Sequence, residues 1–238
     1  MDLRLPGHAR PLRIAHRGYR GYAPGVPPEN TLEAFQRAIV LGAESIETDV
    51  RLRRADRALV LSHDGGDLSA SPTLVALCDL VDDTDVALNL DVKEIAVLPA
   101  LLALVEDRAL LDRVVLTGGS WSALVAARRA HPGLRVGLTI PRRSLGPVGR
   151  LLRPLARFLA RRRYAATTPR MVTHYGVDLV TVNHRLVSRA LVDRVHAAGG
   201  EVWTWTVQSR AEAIRVTLAG VDGLCVDDPA LHGLPDGR

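Results

Sequence analysis

Apolar and polar positions along this chain follow two rhythms. Runs at 12–15, 45–52, 86–93, 113–117, 134–140, 178–183, 201–207 and 222–226 are short, rich in valine, leucine and isoleucine, and bounded by polar or glycine-rich turns. These are strand signals. A shorter extended run at 58–62 ends on His63-Asp64. Between the runs lie stretches with helical spacing. Asn30 followed by Glu33 resembles a capping box and opens a helix with Leu32, Phe35, Ala38 and Ile39 on one face, stopped by Gly42. Further helices are expected at 72–80, 98–110, 120–130, 187–198 and 211–219. Eight strands alternating with helices predict parallel βα units, hence an α/β fold in one domain spanning 1–238. A closed TIM (β/α)8 barrel and an open doubly wound sheet both satisfy the count. The barrel is the better reading, because chemistry-bearing residues end several different strands (His16, Glu47 and Asp49, Asp91 and Lys93), and barrels collect such residues at one face.

Two of these strands carry the chemistry. Glu47 and Asp49 stand at i and i+2, so they project from one side while Ile46, Thr48 and Val50 take the other. Like charges on one side of a strand repel unless a cation lies between them. Oxygen-only ligation favours a hard divalent ion, Mg²⁺ or Ca²⁺, over zinc; a solvated strand edge would carry the same charges without one. Run 86–93 alternates Leu88, Leu90 and Val92 with Asn89, Asp91 and Lys93.

Composition adds bounds. A chain of 238 residues with 47% hydrophobic and 24% charged residues builds a substantial core. Aromatic residues make up only 4%, which argues against a base-stacking nucleic-acid surface, and the net charge of +5 suits an anionic partner. Cys78 and Cys225 have neither metal-site nor disulfide-framework spacing. Residues 1–8 lack the apolar core of a signal peptide and no apolar run reaches membrane-spanning length, so a cytoplasmic protein is expected. Lys93 is the only lysine in a chain that otherwise uses arginine, and a compact ammonium is not replaceable by a guanidinium fork.

In order and spacing, His16-Arg17-Gly18, Pro28-Glu29-Asn30-Thr31, Glu47-x-Asp49-Val50, His63-Asp64, Asp91-x-Lys93, Trp205-Thr206-Val207 and Gly220-Val221-Asp222-Gly223 resemble the glycerophosphodiester phosphodiesterases. The resemblance runs from about Ile14 to Pro229. It implies a TIM barrel with a small insertion after strand 2, truncated here. It also implies metal-dependent hydrolysis of glycerophosphodiesters to glycerol 3-phosphate and an alcohol. By the same resemblance, His16 and His63 form the catalytic pair, Glu47, Asp49 and Asp91 hold the metal, and Arg17 and Lys93 face the phosphate. Trp205 is a candidate pocket wall, or an ordinary barrel-filling aromatic. The remaining histidines are expected in solvated or loop positions. Departures from the family pattern are Asp91 in place of the usual Glu, Gly65-Gly66-Asp67-Leu68-Ser69 in place of a Leu-x-Arg-Thr-Thr run, and Gln208 where Asn often follows Trp-Thr-Val. Two other activities fit the same residues: a phospholipase D-like enzyme taking lysophospholipids or sphingomyelin, and a non-catalytic anion- or membrane-binding barrel.

The segment 142–170 contains nine arginines and no acid. Read as a helix from Val148, it places Val148, Leu151, Leu152, Leu155 and Leu159 on one face and Arg150, Arg153, Arg157 and Arg161 on the other. Either the leucines pack on the sheet, or 148–163 makes peripheral contact with an anionic membrane.

Overall fold

The computed structural model describes residues 10–21, 25–140 and 153–231. Eight strands form a closed parallel barrel: β1 (Leu12–His16), β2 (Ser45–Arg53), β4 (Ala87–Val92), β5 (Val114–Gly118), β6 (Arg135–Thr139), β7 (Leu179–Asn183), β8 (Glu201–Val207) and β9 (Gly223–Val226). Closure is made by β1, which pairs with β9 on one side and β2 on the other. All eight expected strands are present, and the sheet is the barrel rather than the open alternative.

Strand β2 is longer than its neighbour. Its first residues pair with β1 as far as His16↔Glu47, and there β1 ends. The freed edge is covered by β3 (Ala58–Leu61), antiparallel from Val50↔Leu61 to Arg53↔Ala58. An unpaired strand edge is a liability, and this hairpin removes it. It also returns the chain to the barrel rim, where Ser62 N–H donates to Asp49 O at 2.9 Å. This hairpin and the turn after it are all that stand between β2 and the next helix, as a truncated insertion requires.

Helices α1 (Leu32–Val40), α2 (Leu74–Val81), α3 (Leu98–Asp107), α4 (Trp121–Ala130), α5 (Arg153–Tyr175), α6 (Arg189–Ala197) and α7 (Arg210–Leu218) surround the strands. Outward strand residues such as Ile46, Val50, Leu88 and Leu90 meet Phe35, Leu77 and Leu101 in a dry core. Full burial of Phe35 contributes about 2–3 kcal/mol. The expected start of α1 shifts by one residue: Thr31, not Asn30, accepts from Ala34 N–H. Asn30 instead takes a left-handed conformation (φ 57) and turns its side chain into the barrel wall. Leu32 is exposed, so the buried face of α1 is Ala34, Phe35 and Ala38.

Inside the barrel the floor is apolar, made by Leu12, Ala87, Val115, Leu179 and Trp203. Trp203 fits there because Gly223 has no side chain; a Cβ would lie 2.8 Å from the indole. In the basic segment, 148–152 and the side chains of Leu155, Arg153 and Arg157 lie outside the described residues. Further along α5, Ala165, Thr168 and Val172 are buried, whereas Phe158 and Leu159 are 54% and 55% exposed. Leu159 therefore does not pack on the sheet. No helix among the described residues is long and apolar enough to cross a membrane.

Candidate active site

Above the apolar floor the barrel opens into a cavity of about 220 Å³ at the C-terminal ends of the strands. His16, Arg17, Glu47, Asp49, His63, Asp91, Lys93 and Trp205 all line it, so every residue singled out in the sequence reaches one place. Strand register explains this. His16 is the Cα partner of Glu47, and Asp49 is the partner of Asp91, so three neighbouring strands deliver their inward residues side by side. Thr117, Thr139 and Thr181 continue the ring from β5, β6 and β7.

The three carboxylates lie within 4.8 Å of one another, each offering one oxygen. Glu47 and Asp49 are buried. Burial, with repulsion from Asp49 and Asp91, pushes the Glu47 carboxyl well above its usual range. Burial likewise raises Asp91, against the attraction of Lys93. Asp49 goes the other way: burial opposes its ionisation, but Lys93 and Arg17 hold its pKa low. The Lys93 ammonium stands 2.6 Å from Asp49 Oδ1 and 2.6 Å from Asp91 Oδ2, bonded to the latter. Asp49 Oδ1 is buried against that ammonium. Like charges this close and an all-oxygen donor set fit a hard divalent ion, which Glu47, Asp49 and Asp91 could hold.

Arg17 crosses over this trio. Its backbone adopts φ 55, its N–H donates to Glu47 Oε2 at 3.0 Å, and its Nε lies 3.0 Å from Asp49 Oδ2 as an ion pair off hydrogen-bond alignment. Gly18 follows at φ 81 because a Cβ there would lie 2.8 Å from the Ala34 carbonyl carbon. Trp205 packs on the interior apolar cluster, and its buried Nε1 has no hydrogen-bond partner.

The two histidines have different supports. His16 is mostly buried, and its Nδ1 lies 2.8 Å from Asp227 Oδ1. Burial lowers the His16 pKa against the pull of that carboxylate, which favours the neutral base. His63 sits on the rim with its side chain 42% exposed and Nδ1 3.0 Å from Asp64 Oδ1. Arg51 fixes its backbone, donating to His63 O at 2.7 Å.

Residues not singled out in the sequence complete the wall. Asn30 donates to Asp49 Oδ2 at 3.0 Å and accepts from Thr48 Oγ1 at 2.7 Å. Glu29 accepts from Arg17 at 2.8 Å and pairs with Arg20 at 2.7 Å. Asn30 and Glu29 stand inside a quoted motif, which was their signal. Asp227 stands outside every quoted motif. His184 takes a loop position as expected, in the turn after β7, but a buried one: its N–H donates to Trp205 O, and Arg215 donates to its carbonyl. His131 pairs with Glu106 and His196 with Asp222, away from the cavity.

Known proteins are similar to this chain in sequence and fold. The model of the glycerophosphoryl diester phosphodiesterase family matches residues 16–108 and 89–231. A glycerophosphodiester phosphodiesterase of Caldanaerobacter subterraneus is 27% identical over 92% of this chain and 94% of its own length. A Mycobacterium tuberculosis protein named probable glycerophosphodiester phosphodiesterase 2 is 30% identical over 92% of this chain and 88% of its own. Among solved structures, an Oleispira antarctica phosphodiesterase in complex with the product sn-glycerol-3-phosphate superposes with TM-score 0.71 at 20% identity, covering 93% of this chain and 94% of that one. An Agrobacterium tumefaciens glycerophosphodiester phosphodiesterase gives 0.72 at 18%, covering 94% and 99%. With a TIM barrel, a mouth carrying two histidines and three carboxylates, and a family match over nearly the whole chain, this protein belongs to the glycerophosphoryl diester phosphodiesterase family, a family of phosphoric diester hydrolases.

Proposed function

We propose that this protein hydrolyses glycerophosphodiesters to glycerol 3-phosphate and an alcohol, with Mg²⁺ or Ca²⁺ held by Glu47, Asp49 and Asp91. The observation that carries the reading is the single cavity lined by two imidazoles, three clustered carboxylates, Arg17 and Lys93. The family match and the product bound in the Oleispira relative support it. A phosphodiester resists attack because its anion repels nucleophiles and its alkoxide leaves poorly. When bound, the divalent ion supplies charge neutralisation at the phosphate. Arg17 and Lys93 orient the remaining phosphate charge. His16 takes the proton of the attacking water as that oxygen bonds to phosphorus. The bond from phosphorus to the leaving oxygen breaks with its electron pair on oxygen, and His63 gives that oxygen a proton. Imidazoles with ordinary pKa near ~6.5 serve both tasks around neutral pH. Trp205 walls the substrate opposite the carboxylates' strands.

A cytoplasmic setting is part of the proposal, supported by two cysteines that are buried and unpaired. So is a peripheral contact with anionic membrane through 148–163, supported by exposed Phe158 and Leu159 beside the exposed Arg162 and Arg163.

Incubation with glycerophosphocholine and either ion, followed by phosphorus NMR, tests the reaction. Free glycerol 3-phosphate is expected, with turnover lost on chelation and in His16→Ala. A lysophosphatidate or cyclic phosphate from lysophosphatidylcholine, with glycerophosphocholine untouched, would move the reading to the phospholipase D-like activity. Binding without turnover would leave only a binding barrel.

A further inference from the structure

The contrast between the two imidazoles has a structural source. Asp64, beside His63, keeps 93% of its side chain in solvent. Asp227, beside His16, keeps 3%. Asp227 follows β9 directly, and its backbone is fixed from two sides: its carbonyl accepts from Arg20 N–H at 2.7 Å, and its N–H donates to Val207 O at 3.4 Å. Its carboxylate is divided between two neighbours. Oδ1 faces His16 Nδ1 at 2.8 Å, with Arg20 Nη1 3.6 Å away, and Oδ2 accepts from Gln208 Nε2 at 2.6 Å. Gln208 is the residue after β8, so β8 and β9 together aim this pair at the end of β1.

A carboxylate only accepts hydrogen bonds, so the imidazole nitrogen facing it carries the proton. That leaves Nε2 of His16 with its lone pair. We propose that Asp227 is a positioning residue for the reaction at this site and that Gln208 holds it, the pair together selecting the tautomer in which His16 Nε2 is the basic nitrogen. The inference rests on the reading of the cavity as a phosphodiesterase site with His16 as base.

The hydrogen-bond polarity makes this testable. The side-chain amide introduced by Asp227→Asn no longer accepts from both neighbours as they stand. With its carbonyl oxygen toward Gln208, its amino group faces His16 Nδ1 and forces that nitrogen to accept, which moves the proton to Nε2. Turned round, it needs the exposed Gln208 amide to turn over as well and accept through Oε1. Adding Gln208→Glu in that background supplies a carboxylate that accepts from the introduced amino group, and the amide's carbonyl oxygen can again face His16.

The experiment compares wild type, Asp227→Asn, Gln208→Glu and the double variant, reading kcat and KM for glycerophosphocholine with Mg²⁺ and the ¹⁵N imidazole shifts of His16. Wild type is expected to show the Nδ1–H tautomer. Asp227→Asn is expected to lose about 100-fold or more in kcat with KM within about threefold, since an amide in either orientation brings no negative charge to the imidazolium that forms, and to populate Nε2–H. The double variant is expected to regain about tenfold in kcat over Asp227→Asn, together with the Nδ1–H signature, a rescue that a merely structural role would not give. Asp227→Asn within about threefold of wild-type kcat, a double variant no better than the single, or an Nε2–H His16 in wild type would each overturn the proposal. If Asp227→Asn does not fold, as its melting curve reveals, Gln208→Met at an exposed position removes the donor alone. A kcat drop of about tenfold is expected there, and an unchanged kcat overturns the role of the pair. A wild type that turns over no diester sinks the phosphodiesterase reading, while the imidazole shifts still judge the tautomer independently.

Discussion

Lys93 is the single lysine of the chain, and its ammonium lies 2.6 Å from each of two carboxylates. Asp91 and Asp49 hold the Lys93 pKa up although burial opposes it. Without that ammonium, Asp49, Asp91 and Glu47 face one another with less positive charge among them. Lys93→Gln is therefore expected to lower the stability of the ion-free protein by about 3 kcal/mol, the usual cost of removing one partner of a buried pair. Added Mg²⁺ or Ca²⁺ is expected to raise the melting temperature of Lys93→Gln more than that of wild type. Melting curves with and without the ion check this, and equal shifts would show that Lys93 is not a resident counter-charge. Lys93 stands out in the sequence because it breaks the chain's own habit. Asn30 was misread: its position before Glu33 matched a helix cap, and nothing local revealed a φ of 57 that sends the amide to Asp49. Asp227 was missed because an acid in Val226-Asp227-Asp228-Pro229 looks like a surface turn until β9 is placed beside β1.

At the level of elements, strand identity follows from short runs rich in valine, leucine and isoleucine, interrupted in β2 and β4 by the polar residues that face the barrel interior. Helix α5 was the hard case. Its sequence is arginine-rich, it continues through Pro169, and among its described side chains burial begins at Ala165, past the exposed Phe158 and Leu159. Between elements, Glu44 staples the entry of β1 to β2. It accepts from Arg10 at 2.7 and 2.9 Å, and from the Arg13 N–H at 3.0 Å and Nε at 3.2 Å. Burial opposes ionisation, but these bonds hold the Glu44 pKa below its ordinary value. A carboxylate with a depressed folded pKa stabilises above its unfolded pKa, near ~4.5, and loses that contribution as pH falls through the folded value. Glu44→Gln is expected to cost about 1 kcal/mol at pH 7 after solvent screening. The difference in melting temperature from wild type should shrink below about pH 4. A gap that stays constant down to pH 3 would assign the effect to shape rather than charge.

On the scale of the whole molecule, the barrel divides its interior into an apolar floor under Trp203 and a charged mouth, and the outer ring carries a basic helix on one flank. The alternation of strands and helices made the α/β class legible, and chemistry-bearing residues at the ends of several strands favoured the barrel; their meeting at its mouth is explained by register. The exposed Phe158 and Leu159 give the basic flank its one apolar feature among the described residues of α5. Neutralising Arg157, Arg161 and Arg162 is expected to reduce co-sedimentation with anionic vesicles while hydrolysis of a soluble diester persists; unchanged sedimentation would end the membrane contact. The hairpin β2–β3 has a consequence of its own. One imidazole is built into a closed cylinder, where any shift breaks ladder bonds on both sides, while the other rides on a flap outside it. In the proposed reaction, lengthening or rebuilding the stretch beyond β3 is expected to change which alcohol departs, while Arg17, Lys93 and the carboxylates stay on the cylinder.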